Sequence, residues 1–367
     1  KLEQKNIYPG IDLKMYFYEN NLKYDLILHP NGNSGEIKIK YTGQDDVFLR
    51  NENLIIETSV NTVTELSPFA YQIINDSVFP VECKFVLKNN ILSFEFPNSY
   101  DNTRYLVIDP TLIFSTYSGS TADNFGYTAT YDNFGFLYSG STVFGVGYPT
   151  TLGAYQINYA NNSGGTDIGI TKYDTTGTQR IYSTYLGGSE DELPHSMIVN
   201  NLDELFIFGT TGSDDFPTTS GVFQENFNGG SNFSPSGLGV SFPNGSDIIV
   251  SRLNANGGNL LASTYIGGSG NDGLNTAQKL KINYADEVRG EIDIDKNNNI
   301  YLATCTYSTD FPITNTFQQN NNGNQEGCIV KIDNQLSTII WSSYLGGIND
   351  DAIYSLALDK NDNVFVT

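Results

Sequence analysis

Short segments in which apolar and polar residues alternate follow one another along the chain, separated by turns rich in Gly, Asn and Asp. Examples are "KYDLILH" (Lys23–His29), "EIKIKYT" (Glu36–Thr42) and "FVLKNNILSFEF" (Phe85–Phe96). A period of two is typical of β-strands with one buried face, and "KNN" in the last segment is a good hairpin turn. No segment of a dozen residues shows the helical period. We predict an all-β chain, with a β-sandwich-like domain over residues 1–110.

One hexapeptide recurs through the rest of the chain. It is "STYLGG" at Ser183–Gly188, "STYIGG" at Ser263–Gly268 and "SSYLGG" at Ser342–Gly347, with a fainter copy, "STYSGS", at Ser115–Ser120. Between the copies, three more segments recur in a fixed order. They are a strand–turn–strand such as "EIDIDKNNNIYLATCT", a loop such as "DFPTTSGVFQ" and a strand such as "DIIVSRLN". The repeat is about 70 to 80 residues long, which is the scale of a structural repeat and not of a short motif.

Each repeat predicts four antiparallel strands, A to D, with the hexapeptide at the end of strand D. Four-stranded sheets in tandem indicate a β-propeller, whereas the alternative, a parallel β-helix, usually has much shorter coils. The hexapeptide tyrosine is predicted to pack between blades, and the Gly-Gly to allow a sharp turn into the next blade. We predict that residues 111–367 form a truncated β-propeller. It would contain a closing strand at Leu112–Tyr117, three full blades and part of a fourth.

The segments "STYLGGSEDE", "DFPTTSGVFQ" and "LDKNDNVFVT" resemble the SBBP-type β-propeller repeat of bacterial surface and secreted proteins. Upstream, Asn6–Asn33, Ser67–Phe85 and Arg104–Tyr117 resemble the conserved β domain that commonly precedes these propellers. The resemblance implies an exported, extracellular or cell-surface protein of the Bacteroidota type, often with a C-terminal domain for type IX secretion. The family's leading domain usually begins before "YPGIDL", and the chain stops in strand B of a fourth blade. We therefore expect a fragment, with further domains beyond both ends.

The net charge of the chain limits the classes of partner that it can bind. The formal net charge is −22, which argues against nucleic acid and against an anionic membrane surface. The sequence contains no run of about eighteen apolar residues, so we expect no membrane insertion. Strong acidity suits an extracellular protein, a protein that meets divalent cations, or solubility alone.

In a propeller, the D–A and B–C connections emerge on one face, and here that face collects carboxylates and the insertion Asn228–Ser246. We name these carboxylates the acidic rim: Asp123, Glu190, Asp191, Glu192, Asp214, Asp215, Asp272, Asp310, Asp350 and Asp351. Such loop-rich faces usually bind ligands. Carboxylates and backbone carbonyls suit Ca²⁺, but an Asp that recurs in every blade favours acceptance of hydrogen bonds from turn N–H groups. We expect no cofactor, with Ca²⁺ as the alternative.

Candidate catalytic residues are few. The two histidines, His29 and His195, have no second His or Cys at metal-ligand spacing, so a zinc site is not expected. A Ser–His–Asp arrangement has one possible place, at His195 near Glu190–Glu192, and a lone histidine at a strand entrance is more often structural. Paired carboxylates for glycoside hydrolysis remain open on the acidic face, although nothing marks one pair. We predict no catalytic residue.

Two covalent modifications are considered. Cys305 ends strand B and Cys328 opens strand C of one predicted blade, so the positions lie nearly opposite. They are within disulfide range if their side chains point the same way, with two reduced thiols as the alternative. A bridge would indicate an oxidising, extracytoplasmic setting. The tripeptides "DSV" and "DTT" resemble the O-glycosylation sequon of exported Bacteroidota proteins, which makes Ser77 and Thr175 candidate O-glycan sites.

These features together predict a binding or adhesion module, secreted or on the cell surface, that interacts with a glycan or protein partner. The first alternative is a propeller hydrolase or lyase that acts on polysaccharide. It would need two carboxylates about 5 to 10 Å apart at the acidic face or the channel mouth. The second alternative is a passive structural spacer, because a fold does not by itself imply a function.

Overall fold

A computed structural model gives the conformation of most of the chain. It describes residues 2–18, 21–42, 44–57, 62–74, 77–109, 118–161, 164–175, 177, 179–235, 239–282 and 286–367. The chain divides into two compact units, residues 1–113 and 114–367. The predicted domain boundary at 110/111 and the predicted closing strand at Leu112–Tyr117 lie outside the described residues.

The first unit consists of three antiparallel sheets around one apolar core. Its strands are β1 (Leu2–Tyr8), β2 (Ile11–Tyr18), β3 (Asn21–Leu28), β4 (Ile39–Lys40), β5 (Asp46–Arg50), β6 (Asn53–Glu57), β7 (Thr62–Glu65), β8 (Phe69–Ile74), β9 (Ser77–Val81), β10 (Lys84–Lys88), β11 (Ile91–Glu95) and β12 (Leu106–Asp109), with a 3₁₀ helix at Ser34–Glu36. The sheet orders are β1-β2-β3-β12-β8-β9, β5-β6-β7 and β10-β11-β4. Alternate residues such as Leu26 and Leu92 point into the shared core. Asn89 and Asn90 both have positive φ, as a tight hairpin turn between β10 and β11 requires.

The second unit is a series of four-stranded antiparallel sheets. Its strands are β13 (Asp123–Tyr131), β14 (Leu137–Phe144), β15 (Asp167–Tyr173), β16 (Arg180–Leu186), β17 (Glu192–Val199), β18 (Leu205–Thr211), β19 (Asp247–Leu253), β20 (Leu260–Ile266), β21 (Glu291–Ile294), β22 (Ile300–Thr306), β23 (Glu326–Ile332), β24 (Ile339–Leu345), β25 (Leu356–Leu358) and β26 (Val364–Val366). Three sheets pair their strands in chain order, β13 to β16, β17 to β20 and β21 to β24, and β25-β26 form a fourth. The prediction of an all-β chain with four-stranded propeller blades is confirmed.

The middle strands of the blades form the core of this unit. Every residue of β15, β18, β19 and β22 is buried, because neighbouring sheets cover both faces. Adjacent blades share apolar clusters, and Ile168 and Ile170 of β15 belong to the same cluster as Ile207 of β18. Two 3₁₀ helices, Gln278–Leu280 and Asp286–Val288, lie between β20 and β21. In the part of the chain that the structure describes, no helix has the length and apolar character needed to cross a membrane.

Candidate functional site

The tyrosine of each complete hexapeptide holds the B–C connection of its own blade. All three tyrosines are buried, and each hydroxyl donates a hydrogen bond to a carbonyl of that connection. The pairs are Tyr185 with Gly145 (3.1 Å), Tyr265 with Ser213 (2.9 Å) and Tyr344 with Ser308 (2.8 Å). In two blades the Phe of the "DFP" loop packs on the same ring, Phe216 on Tyr265 and Phe311 on Tyr344. The hexapeptide therefore fastens a loop as well as a strand.

The two glycines of the hexapeptide let carboxylates approach the backbone. Neither Gly187 nor Gly188 has the positive φ of a left-handed turn. A Cβ atom on Gly187 would lie 2.5 Å from Glu192 Oε2 and 2.8 Å from Asp167 Oδ1. A Cβ atom on Gly188 would lie 2.6 Å from Asp215 Oδ1. These distances leave no room for a side chain, so close approach explains the Gly-Gly better than backbone freedom at the predicted sharp turn.

The "DFP" aspartates of the acidic rim are hydrogen-bond acceptors between blades. Asp215 Oδ1 accepts from the backbone N–H and the hydroxyl of Ser189, at 2.7 and 2.9 Å. Asp310 Oδ1 accepts from the same two groups of Ser269, at 2.8 and 3.0 Å. Each serine directly follows a Gly-Gly. These exposed carboxylates therefore tie the connection between two blades to the B–C loop of the later blade.

A second set of rim carboxylates is turned inward. Glu192 and Asp272 have no exposed surface, and each accepts a hydrogen bond from the second glycine of the preceding Gly-Gly. The set comprises Glu192 with Gly188 N (3.0 Å), Asp272 with Gly268 N (2.8 Å) and Asp351 with Gly347 N (2.7 Å). Burial raises the pKa of Glu192 and of Asp272 well above the ordinary range. These groups therefore accept hydrogen bonds at the blade junctions, and Glu192 and Asp272 expose no surface to a ligand.

The remaining rim residues do not converge on one point. Asp191 is buried and accepts hydrogen bonds from Thr166 N (2.6 Å) and from Ser241 N in the Asn228–Ser246 insertion. The others are exposed or half-buried: Asp123, Glu190, Asp214 and Asp350. Among the described residues, no group of three or more His, Cys, Asp or Glu side chains is arranged to hold a metal ion.

Three junction carboxylates that the sequence analysis did not single out begin strand C. Asp167, Asp247 and Glu326 accept hydrogen bonds from backbone N–H groups of the preceding loop, at 2.8, 2.7 and 2.8 Å for Ala160 N, Asn228 N and Asn322 N. Burial raises the pKa of Asp167 to about 6 and that of Asp247 to about 7. Their signal in the sequence is the acidic residue that opens each strand C segment.

The predicted disulfide between Cys305 and Cys328 is not formed, and both cysteines are free and buried. Register explains why: Cys305 is paired with Gly327 of β23, and Cys328 with Thr304 of β22. Residues one position apart on a strand point to opposite faces, so the two thiols lie on opposite sides of the sheet. Burial raises the pKa of Cys305 to about 12, which keeps its thiol protonated.

The two candidate O-glycan residues are both accessible. Ser77 is the exposed first residue of β9, and Thr175 is exposed in the turn between β15 and β16. Asp76 and Thr176 of the two tripeptides lie outside the described residues. Glycosylation at Ser77 and Thr175 remains a prediction.

Two insertions interrupt the regularity of the blades and pack on each other. One is Asn228–Ser246 in the B–C connection of the second blade, and the other is 273–290, between the second Gly-Gly and strand A of the third blade. We name the two together the cap. Val240 and Phe242 of the first insertion share an apolar cluster with Leu274 and Val288 of the second. Leu193 of β17 belongs to the same cluster, so the cap is also packed on the blades.

A cavity of about 460 Å³ lies between strands A of successive blades and the cap. It is lined by residues 125–129 of β13, residues 195–197 of β17, residues 288–291 and Tyr354. A volume of this size is in the usual range for small-ligand sites. Its lining mixes the rings of Phe125 and Tyr354 with the polar groups of Ser196 and Glu291. We regard this cavity as the candidate functional site.

Strand A carries an irregularity at the cavity in two blades. The pairing of β13 with β14 shifts at Tyr127, and that of β17 with β18 shifts at His195. In the partial fourth blade, the backbone N–H groups of Tyr354 and Ser355 both donate hydrogen bonds to the Thr367 carbonyl, which is the bond pattern of a bulge. Bulges re-aim a side chain and are common beside functional sites. Equivalent bulged positions thus bring Tyr127, His195 and Tyr354 to the cavity.

His195 does not form a Ser–His–Asp arrangement. Its Nε2 atom is 2.9 Å from Thr210 Oγ1. Burial lowers its pKa to about 3, against a smaller opposing effect of the Arg289 backbone, so the ring is neutral. The neighbouring Ser196 donates instead to Glu291, whose pKa is raised by burial.

Two parts of the chain match protein-family models. Residues 1–111 match the family described as "Domain of unknown function (DUF7948)". Residues 340–367 match the SBBP family, described as "Beta-propeller repeat". The second match agrees with the sequence resemblance and with the four-stranded sheets. A search of curated proteins finds no match.

Among solved structures, the chain is similar to the NanB sialidase from Streptococcus pneumoniae in complex with a substituted ethanesulfonate. The identity is 8%, the TM-score is 0.34, and the match covers 96% of this chain and 68% of the sialidase chain. A mutant of the same sialidase matches at 9% identity and a TM-score of 0.28, over 96% and 77% of the two chains. A likeness this weak assigns no activity to the chain.

Proposed function

We propose that this protein is a binding module, secreted or on the cell surface, that takes part of a glycan into the cavity beneath the cap. The observation that carries the proposal is the cavity of about 460 Å³ and its mixed lining. Phe125 is 47% exposed, so its ring is accessible to a ligand. Aromatic rings suit the apolar faces of sugars, and a few placed polar groups fix orientation. Export is part of the proposal and rests on the resemblance to the repeat of bacterial surface and secreted proteins.

The acidic rim is a weaker candidate for the same role. Most of its carboxylates are engaged in fastening one blade to the next, as Asp215 and Asp310 are through Ser189 and Ser269. A ligand at the rim would compete with these hydrogen bonds. The cavity offers a surface that the junctions do not use.

A polysaccharide hydrolase or lyase is the second candidate. Glycoside hydrolysis normally uses two carboxyl groups on either side of the scissile bond. Among the described residues that line the cavity, Glu291 supplies one carboxyl group, and Ser196 donates a hydrogen bond to it. The arrangement therefore supports binding more directly than cleavage.

The test is retention of the purified chain on immobilised neutral and acidic polysaccharides, with released oligosaccharides measured in the same samples. Phe125→Ala should weaken retention about tenfold, because one exposed aromatic contact at a binding site is worth roughly 1 to 2 kcal/mol. Phe134→Ala is the matched control, since Phe134 is a 70% exposed ring in the β13–β14 turn, outside the cavity.

Equal retention of the two variants would contradict the proposal that the cavity is the glycan-binding site. Released oligosaccharides would replace the binding proposal with the hydrolase or lyase. No retention on any polysaccharide would contradict glycan binding and favour a protein partner or a spacer.

A further inference from the structure

Each blade junction brings two carboxyl groups from different strands to the same glycine. One begins strand C of a blade, and the other stands at the start of the next blade. The pairs are Asp167 with Glu192, Asp247 with Asp272 and Glu326 with Asp351, at Gly187, Gly267 and Gly346. A Cβ atom on Gly267, for example, would lie 2.4 Å from Asp247 Oδ1 and 2.9 Å from Asp272 Oδ2. The repeat therefore builds the same paired arrangement at successive junctions.

No basic side chain neutralises these pairs in the described part of the chain. The ion pairs of the propeller unit involve other carboxylates. Neutral donors surround the pairs: Glu192 accepts from Thr211 and Ser213 hydroxyls, each at 2.6 Å, and Asp272 accepts from the Ser308 hydroxyl at 2.8 Å. In the third pair, Glu326 Oε2 is buried without a hydrogen-bond partner. Such a pair is costly when both members are ionised.

The other ionisable groups that face the pairs are acids as well. Around the first two pairs they are Asp191, Asp215, Tyr159, Tyr265, Cys328 and Tyr344. None of them supplies positive charge. The surroundings therefore add to the cost of a second negative charge at these two junctions.

We propose that each of the first two junctions, Asp167 with Glu192 and Asp247 with Asp272, holds a proton shared between its two carboxyl groups, which makes the propeller more stable in mildly acidic than in alkaline solution. A shared proton leaves one charge where there would be two, as in other close carboxyl pairs. A metal cation fits less well, because backbone N–H groups such as Gly188 N and Asn161 N already point at these oxygens. An N–H dipole aimed at a site repels a cation.

The sign of the pH effect follows from burial. Burial raises the pKa of Asp167 to about 6 and that of Asp247 to about 7, against an unfolded value of about 4. A raised pKa in the folded state means that the stabilisation is complete below pH 4 or so and is lost as pH rises. The loss should therefore take place between about pH 4 and pH 8, and most of it above about pH 5.5, where ordinary surface carboxylates are already ionised.

The test is thermal unfolding of the whole chain between pH 4.5 and pH 8.5, followed by fluorescence of Trp341. This is the one tryptophan of the sequence and it lies in β24, so it reports on the propeller unit. The Tm should fall by several degrees across this range. The double variant Glu192→Gln, Asp272→Asn, which keeps the shape and removes both charges, should give a clearly flatter profile. Asp310→Asn is the matched control, because it removes a junction carboxylate outside the pairs and should keep the wild-type slope.

A Tm that is constant or rises with pH would overturn the proposal, as would equal slopes in the double variant and the wild type. Addition of Ca²⁺ at pH 8 tests the cation alternative. A rise in Tm with the wild type and none with the double variant would show that the pairs bind metal and not a proton.

If the double variant does not fold, infrared spectroscopy of the wild type tests directly whether a carboxyl group is protonated. A protonated carboxyl band that is present at pH 6 and lost at pH 9 is expected. A spectrum that contains ionised carboxylates alone at pH 6 would contradict the proposal.

Discussion

The blade junctions and the cavity under the cap are two regions of the same propeller unit that are built in opposite ways. At the junctions, equivalent residues make equivalent contacts, as in the hydrogen bonds from Ser189 to Asp215 and from Ser269 to Asp310. At the cavity, equivalent positions differ, as in Tyr127, His195 and Tyr354 on the bulges of strand A. Repetition thus marks what holds the blades together, and departure from it marks the residues that line the cavity.

The comparison also separates two uses of carboxylates. In the junctions they accept hydrogen bonds from N–H and O–H groups. They also lie so close to the Gly-Gly backbone that no side chain fits at those positions. In the cavity the one lining carboxyl group among the described residues, Glu291, belongs to the blade that carries the 273–290 insertion. An acidic composition is therefore partly a structural requirement of this repeat.

The largest effect is expected from the loss of a hexapeptide ring. Tyr265→Ala should destabilise the propeller unit by about 3 to 5 kcal/mol, because it empties a fully buried site and removes the hydrogen bond to Ser213 O. Denaturant unfolding followed by Trp341 fluorescence measures the change. Tyr265→Phe, which keeps the ring, should lose only about 1 kcal/mol. Equal losses in the two variants would mean that the hydroxyl, and not the ring, holds the junction.

A smaller loss of stability is expected when a methyl group is added at the glycine that contacts a carboxyl pair. Gly267→Ala places a Cβ atom 2.4 Å from Asp247 Oδ1 and should cost about 1 to 3 kcal/mol. The matched control is Gly126→Ala in strand A at the cavity, where a Cβ atom meets nothing within 4 Å. Unfolding free energies of both variants test the contrast between the two regions. A neutral Gly267→Ala would show that the junction can yield without cost.

The blades could be predicted from the sequence because the signal for them is periodic. The alternation of apolar and polar residues, the turn residues and the hexapeptide all recur along the chain. Tyr185 and Tyr265 occupy the same position of the hexapeptide and make equivalent hydrogen bonds. The cavity could not be predicted in this way, because its residues belong to different segments that only the packing of the blades brings together. The cap was visible as extra length, but its apolar contacts through Val240 and Leu274 depend on tertiary packing.

Two further details of the structure could not be predicted from the sequence, for the same reason. The pattern placed Cys305 and Cys328 nearly opposite, but a pairing offset by one residue sends the two side chains to opposite faces. In the acidic rim, whose residues the sequence predicts on one face, burial turns Glu192 and Asp272 into the junctions. Both outcomes depend on register and on side-chain direction, which composition does not specify.

Asp310 is expected to show a smaller loss, with a pH dependence opposite to that of the carboxyl pairs. Its hydrogen bonds from Ser269 hold its pKa below the ordinary range. The stabilisation is therefore present above pH 4 or so and is lost as pH falls through the folded pKa. Asp310→Ala should cost about 1 kcal/mol at pH 7 and much less at pH 3. Urea unfolding at the two pH values tests the difference, and a cost that grows toward pH 3 would contradict it.

The smallest expected effect is that of a thiol reductant on the Tm. The strands that carry Cys305 and Cys328 are joined by the β22–β23 hydrogen bonds and not by a covalent link, since both cysteines are free. The Tm followed by Trp341 should therefore be the same, to within about 1 °C, with and without a thiol reductant. Thiol labelling should be slow in the native state, because burial raises the pKa of Cys305 and of Cys83 to about 12 and leaves little thiolate. A clear drop in Tm on reduction would mean that the protein forms a bridge that this register does not allow, and it would require a different pairing of strands B and C.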